Sequence, residues 1–241
     1  MSSLRLGDTV IPYEERKNSR IKRLSIRVTP EKVRVSAPVS TSREEIQIFL
    51  QQNQEWILEN WGKLQKIARE SKREYLTGEK VPYLGKELTL QICDSQGKMI
   101  RAIYNIEEES LEISIPQSFT QELREEAVRE ILEKWYKEKA RPYFLQKLSY
   151  WSREMGVSYN KFRLKGQKTR WGSCSTLGNI NLNWRLIMAP EPVIDYIVIH
   201  ELSHLIYMDH SKEFWKHVAR FCPNYREHRH WLRKNGHTLV I

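Results

Sequence analysis

Residues 195–204 read DYIVIHELSH, and this stretch decides how the second half of the chain is organised. Its apolar residues recur at helical spacing, and a helix start is predicted near Pro190–Pro192 because proline is tolerated in a first turn. His200 and His204 are four residues apart, so both imidazoles of such a helix can approach one ion. Glu201 lies about 100° further around the helix, where it can contact a water on that ion without binding the ion.

A third ligand must come from beyond the end of this helix. All seven histidines lie between positions 200 and 237. His210 is the preferred candidate because a turn near residues 207–209 would let it approach the ion from another direction. Glu213, which would complete a His₂Glu set, and His217 are alternatives on the next helix. We therefore expect one Zn²⁺ per chain, bound by His200, His204 and His210.

Three protein ligands leave a tetrahedral zinc ion with one open position for water. Zinc can lower the pKa of that water from about 15.7 to about 7, and Glu201 can act as its general base. The predicted reaction is hydrolysis of a peptide bond by attack of the zinc-bound water, without a covalent intermediate. Asn181 and Asn183 are expected to line the rim where an extended substrate pairs with a strand edge. The alternative is that both are exposed polar residues of an edge strand.

Composition limits the class of protein. The chain has 241 residues, with 40 Lys and Arg against 30 Asp and Glu, which gives a formal net charge of +10. No apolar run approaches the roughly 18–20 residues that a membrane span needs. Three widely spaced cysteines fit neither a disulfide framework nor a cysteine zinc site. These features predict a basic, cytoplasmic globular protein with no membrane partner.

Strands and helices come in blocks. Short strands are followed by a predicted helix over about residues 42–68, which begins at overlapping capping boxes. A second strand region covers about residues 80–115, and another helix begins near residues 118–121. Pro142 is expected to kink or divide that helix. Blocks of this kind favour an α+β fold over a doubly wound sheet.

Several segments together resemble the YgjP-like zinc metallopeptidase family, which is related to the SprT-like and WLM proteases. The segments that carry the resemblance are KTRWGSCS at 168–175, NINLNWRL at 179–186, DYIVIHELSH at 195–204 and HSKEFW at 210–215. Weaker similarity extends to KRLSIR at 22–27, VSAP at 35–38 and YLGK at 83–86.

The resemblance implies a zincin-like catalytic lobe with an HExxH active-site helix and a short sheet. The three histidines match the family's metal ligands, and Glu201 matches its catalytic acid/base. We expect two parts: a strand-rich N-terminal lobe over residues 1–116, which holds the long helix, and a metallopeptidase lobe over residues 117–241.

The segment around the WGSC sequence has two interpretations. Arg170 would bind a substrate carboxylate or phosphate near the metal, and Cys174 would be a reactive thiol. Alternatively, Trp171 and Cys174 pack in the interior and Gly172 allows a tight bend of the backbone. We favour the structural interpretation, because zinc already supplies a nucleophilic water.

Two other functions compete with a peptidase. A basic rim beside a metal would suit hydrolysis of a nucleotide or another phosphate ester. Its members are Lys161, Arg163, Lys165, Lys168 and Arg170. A DNA-associated protein, with or without protease activity, is the second rival, although no zinc-finger, helix-turn-helix or RNP-type signature is found. Peptide or protein is the expected substrate, and nucleic acid or nucleotide the alternative partner.

Overall fold

The computed structural model describes residues 2–70, 74–167 and 170–241. The chain divides into two compact units, Met1–Lys72 and Arg73–Ile241. Both units combine strands with helices, which confirms the predicted α+β class. No helix in the described part of the chain is long and apolar enough to cross a membrane.

The first unit is a four-stranded sheet with two helices. Its elements are β1 (Ser2–Leu6), β2 (Thr9–Lys17), β3 (Ser25–Val28), β4 (Val33–Ala37), α1 (Arg43–Gln52) and α2 (Gln54–Glu70). The strand order is β1-β2-β4-β3, in which only β2 and β4 are parallel. Alternate residues of β4 are buried with Ile11, Ile46 and Ile57, so one face of the sheet and the helices share a core.

The single helix predicted over residues 42–68 is two helices in the structure. The predicted capping box at its start is confirmed, because Ser42 and Glu45 each bond the other's backbone N–H. The interruption falls at Asn53, whose side-chain amide donates to the carbonyl of Phe49 at 2.7 Å. An asparagine that bonds nearby backbone groups competes with continuation of the helix, and apolar periodicity does not reveal such a break.

The second unit contains the remaining strands and helices. They are β5 (Lys80–Tyr83), β6 (Lys86–Ser95), β7 (Arg101–Asn105), β8 (Ser110–Pro116), α3 (Gln121–Met155), β9 (Lys161–Lys165), β10 (Gly172–Cys174), β11 (Asn179–Asn183), α4 (Glu191–Ser203), α5 (Lys212–Phe221) and α6 (Tyr225–Asn235). A 3₁₀-helix, Trp184–Met188, links β11 to α4.

The unit boundary lies near residue 72 and not at 116/117 as predicted. Strands β5 to β8 form a sheet of order β5-β6-β8-β7. Its buried residues, such as Leu90 and Ile113, belong to the same core as Leu132 and Phe144 of α3 and Val198 of α4. Because this sheet has its buried face against the helices that follow it, it cannot be separated from the C-terminal half.

Helix α3 runs unbroken through Pro142, so the predicted division of this helix is wrong. A proline inside a helix loses one backbone hydrogen bond, here to the carbonyl of Glu138. Tyr136, Phe144 and Leu148, which flank the proline, are completely buried. Burial of apolar side chains on both sides of Pro142 therefore offsets the free-energy cost of the lost hydrogen bond.

A three-stranded sheet, of order β10-β11-β9, lies next to α4. Strand β11 pairs antiparallel with β10 and parallel with β9, so it is the middle strand. Ile180 and Leu182 of β11 are fully buried in the core that includes Val198 and Leu202 of α4. This packing holds β10 beside the end of α4 that carries the HExxH sequence.

Candidate metal centre

Three histidines converge where α4 ends. His200 lies in the last turn of α4, and His204 is the residue that follows the helix. The chain then turns back before α5, whose first turn is capped by the Ser211 hydroxyl. This turn brings His210 to the other two, so that one ligand atom from each ring lies within 4.8 Å of the others. The Nε2 atoms of His200 and His210 are 3.2 Å apart.

The orientation of the His204 ring is fixed by its surroundings. Its Nδ1 donates to the carbonyl oxygen of Tyr207 at 2.9 Å, which leaves Nε2 as the available ligand atom. The buried ring of Phe214 stacks on it, with centroids 4.5 Å apart. Burial lowers the pKa of His204, although the bond to Tyr207 opposes this. A neutral imidazole is the form that binds a metal.

The electrostatics of His200 also favour the neutral ring. Burial, followed by the neighbouring His204, His210 and Arg229, lowers the pKa of His200 to about 3. The Nδ1 atom of His200 is buried and has no hydrogen-bond partner among the described residues.

The donor set fits a zinc ion. Two nitrogens bound to one tetrahedral zinc at about 2.0–2.1 Å would be about 3.3 Å apart. The observed separation of 3.2 Å between the Nε2 atoms of His200 and His210 agrees with this value. The alternative ligand Glu213 is exposed, and its carboxylate pairs with Lys216 at 3.2 Å. His217 is likewise outside the converging group.

Glu201 is a buried carboxyl group on the side of α4 that faces β10. The residue is 5% exposed, and burial raises the pKa of its carboxyl to about 8, against the opposing positive charge of Arg170. It does not belong to the converging histidine group. A divalent cation at the histidines would favour its ionised form, because an opposite charge nearby stabilises a carboxylate.

Gly172 allows this close approach of α4 and β10. A Cβ atom at residue 172 would lie 2.5 Å from Oε1 and 2.6 Å from Cγ of Glu201. The glycine is not among the residues with positive φ. The backbone bends at the preceding Trp171, but this bend does not require a conformation that only glycine adopts at residue 172. Lack of a side chain, and not backbone freedom, is what this position requires.

The neighbouring residues of the WGSC segment fit the structural interpretation in part. Burial and the nearby Glu201 raise the pKa of the Cys174 thiol to about 11, which disfavours the nucleophilic thiolate. Trp171 is half-buried against the core. Arg170 is exposed, and its charge reaches Glu201. Lys168 and Thr169 lie outside the described residues.

The edge position expected for Asn181 and Asn183 is wrong, because β11 is the middle strand of its sheet. The Asn181 amide donates to the Ser173 hydroxyl at 3.0 Å. The Asn183 side chain is buried, and its amide donates to the carbonyls of Gln167 and Arg170. Both amides therefore support the loop and strand beside Glu201. Their predicted role in substrate binding remains a prediction.

The basic rim is divided by the same sheet. Lys161, Arg163 and Lys165 project from β9, which is the edge opposite to β10. Of the predicted rim residues that the structure describes, Arg170 is the one whose charge reaches Glu201. The structure thus does not gather the described rim residues around the histidines.

A support beneath the candidate metal centre was not predicted from the sequence. Ser203 is fully buried, and its hydroxyl donates to the carbonyl of Ile199 at 2.7 Å. Since that proton is used, its oxygen accepts from Nδ1 of His217 at 3.2 Å. A polar residue inside the apolar face of a predicted helix is the signal that points to such a partner. His217 is therefore a packing residue that ties α5 to the end of α4.

Two cavities lie beside the histidines. One, of about 400 Å³, is lined by His204 together with residues such as Tyr159, Leu177 and Met208. The other, of about 550 Å³, begins at Trp215, whose ring stacks on His210 with centroids 5.6 Å apart. His210 itself is exposed. The candidate centre is thus open to solvent at His210, and the first cavity is lined in part by His204.

Comparison with known proteins gives one family and one solved structure. The family described as "YgjP-like, metallopeptidase domain" matches residues 22–235. A metallopeptidase zymogen, abylysin of Pyrococcus abyssi, is 26% identical over 37% of this chain and 91% of its own, with a TM-score of 0.34. No curated protein matches significantly. Since the family match covers most of the sequence, the chain belongs to the YgjP-like metallopeptidase domain family.

Proposed function

We propose that this protein is a zinc-dependent, zincin-like metallopeptidase that hydrolyses peptide bonds, with Glu201 as its general base. One observation carries the proposal: three histidine side chains converge beside a buried carboxyl group that is not part of their cluster. Membership of a metallopeptidase family implies a metal and a peptide substrate. We assign the metal to His200, His204 and His210.

When bound, zinc supplies Lewis acidity, which polarises the substrate carbonyl and acidifies the attacking water. Glu201 accepts the proton of that water and then donates it to the leaving amine. Burial suits this residue to both roles, because it raises the pKa of the carboxyl towards neutrality. Tyr207 and Phe214 fix the His204 ring, so that the side chains around the reacting atoms are held in one arrangement.

Strand β10 is the proposed docking edge for the substrate. It is an edge strand of its sheet and passes directly over Glu201 at Gly172. An extended peptide that pairs with this edge would place its backbone beside the carboxyl group. Arg170 lies two residues before β10 and is exposed, which suits a contact with a substrate carboxylate.

The metal assignment is tested by zinc content and thermal stability. We expect wild-type protein to bind one equivalent of zinc and His210→Ala to lose it, while Glu213→Ala and the exposed control His237→Ala keep it. Zinc should raise the Tm of wild type but not of His210→Ala, since a ligand that binds only the folded state stabilises it. Full zinc in His210→Ala with loss in Glu213→Ala would overturn the assignment.

The activity is tested on unfolded proteins and on a peptide library. Glu201→Gln should retain zinc but lose about 10²–10⁴-fold in rate, the usual contribution of a general base. Phosphate release from nucleotides, with the same dependence on Glu201 and no peptide cleavage, would favour the phosphohydrolase alternative instead. Salt-sensitive DNA binding that Glu201→Gln leaves unchanged, again without cleavage, would favour a DNA-associated protein.

A further inference from the structure

A row of basic side chains lies on one face of α6. Arg226 precedes Arg229 and His230 by three and four residues, and Arg233 follows His230 and Arg229 by three and four, so the four residues share a side of the helix. All four are exposed. A cavity of about 550 Å³ is lined by two aromatic and four basic side chains: Trp215, Tyr225, Arg226, Arg229, His230 and Arg233.

The three arginines of this cavity have no carboxylate partner among the described residues. Arg229 lies over the ring of Trp215, 5.2 Å from its centroid. Arg226 donates to the hydroxyl of Tyr225 at 3.3 Å, and Arg233 contacts His230 at 3.5 Å. These contacts hold the guanidinium groups in place but do not neutralise them. Their positive charges are therefore available to an anionic ligand.

The ring of Trp215 lies between this cavity and the candidate metal centre. One neighbour of the Trp215 ring is His210, at 5.6 Å between centroids, and another is Tyr225, at 5.1 Å. Its centroid is also 5.7 Å from that of His200. A group bound by Arg229 would thus be separated from the histidine cluster by a single aromatic ring. That places it within reach of a peptide whose scissile bond is at the metal.

We propose that this cavity is a subsite for the side chain of an aspartate or glutamate in the peptide substrate, on the His210 side of the metal centre. The inference rests on the proposed peptidase function, since in a peptide substrate the anion available here is a carboxylate. Guanidinium groups match carboxylates because they donate two parallel hydrogen bonds. The aromatic wall formed by Trp215 and Tyr225 covers the apolar part of such a side chain.

Matched peptides test the subsite. A sequence that the wild-type enzyme cleaves is made in paired versions, with glutamate or glutamine at each position around the cleaved bond. At one position on one side of the bond, kcat/KM should be about tenfold to 100-fold higher for the glutamate peptide, the range expected for a hydrogen bond to a charged group. In Arg229→Gln this ratio should fall towards one. Arg220→Gln is the matched control, because Arg220 is also exposed and lies over an aromatic ring, that of Phe221, outside the cavity.

The outcomes separate failure of the subsite from failure of the peptidase. If peptides are cleaved without any preference for an acidic residue, or the preference survives Arg229→Gln, the subsite is wrong while the peptidase stands. If no peptide is cleaved, the proposed function fails, and fluorescence anisotropy on Glu201→Gln then reports binding of the same peptide pairs. Preferential binding of the glutamate peptide that Arg229→Gln removes would still support the subsite. Binding of inorganic triphosphate, but not of either peptide, with the same dependence on Arg229 would overturn it.

Discussion

Replacement of Gly172 by alanine tests the proposed arrangement of β10 and Glu201 most directly. The added Cβ would lie 2.5 Å from Oε1, 2.6 Å from Cγ and 2.7 Å from Cδ of Glu201. Ordinary contacts between carbon atoms are about 3.5–4.0 Å, so the carboxyl group or the strand must move by about 1 Å. A displacement of that size in a catalytic group can reduce the rate about 100-fold.

The cost in stability can be worked from the same contact. Overpacking of an interior by one methyl group costs about 1–3 kcal/mol. Replacement of a glycine by alanine in a compatible conformation raises the free energy of unfolding by about 0.4–1 kcal/mol, because it reduces the conformational entropy of the unfolded chain. Since residue 172 does not have positive φ, both terms apply. The two ranges together give a net loss in the free energy of unfolding of Gly172→Ala of about 0–2.6 kcal/mol, with a central value of about 1.3 kcal/mol.

A double-mutant cycle isolates the steric cause. In a Glu201→Ala background the overlapping atoms are gone. Gly172→Ala should then leave the free energy of unfolding unchanged or raise it slightly. Urea denaturation of the four proteins measures this coupling, and zinc content and kcat/KM are followed for Gly172→Ala alone. We expect zinc to be retained while activity falls. The matched control is Gly97→Ala, because residue 97 is exposed and an added Cβ would lie 3.6 Å from the Ser95 hydroxyl, an ordinary contact distance. Wild-type activity in Gly172→Ala, or an equal stability cost in the Glu201→Ala background, would refute the reasoning.

Three further predictions concern the elements that hold the metal centre. Ser203→Ala leaves Nδ1 of His217 without its partner and should lower the free energy of unfolding by about 1–3 kcal/mol, measured by urea denaturation. Asp195→Ala should lower the free energy of unfolding by a similar amount, about 1–3 kcal/mol, because Asp195 accepts from the indole N–H of Trp151 at 2.8 Å. An unchanged free energy of unfolding would show that this hydrogen bond between α3 and α4 does not stabilise the fold. The hydroxyl of Tyr143, and then Lys147, lower the pKa of Glu191 below its ordinary value. Its contribution, at most about 1 kcal/mol for so exposed a group, is thus present at neutral pH and is lost as the pH falls through the folded-state pKa. The stability difference between wild type and Glu191→Gln should narrow on acidification, and a difference that widens would contradict this.

Local patterns in the sequence predicted the helix that carries His200 and Glu201 and a strand near Asn181, but not how the strands beside the helix pair. Helical spacing and two prolines are enough to define α4, because a helix is made by neighbours in the sequence. The alternation in residues 179–183 predicted a strand with one polar face. It could not show that β11 is a middle strand, because its partners, β9 and β10, come from two separate segments.

Long-range contacts set the features that the sequence did not reveal. The unit boundary depends on how the apolar residues of β6 and β8 meet α3, and no linker composition marks it. The role of Gly172 depends on Glu201, which is 29 residues further along the chain. A glycine next to a tryptophan in an isolated segment equally suits a turn or a close approach. Only the packed structure distinguishes a residue that needs positive φ from one that needs an absent side chain.

The position of the histidines at the end of a helix, and not in its middle, explains why three rings can meet. Because His204 is the first residue beyond α4, its Nδ1 can reach the carbonyl of Tyr207 in the turn that follows. The same turn reverses the chain and returns His210 to His200. Glu201 points instead towards β10, so its carboxyl is buried and lies outside the ligand set. An ionised carboxylate in such surroundings is costly unless a cation compensates it. Without a cation, burial favours the protonated form of the Glu201 carboxyl, whereas a divalent ion at the histidines would favour the ionised form that a general base needs.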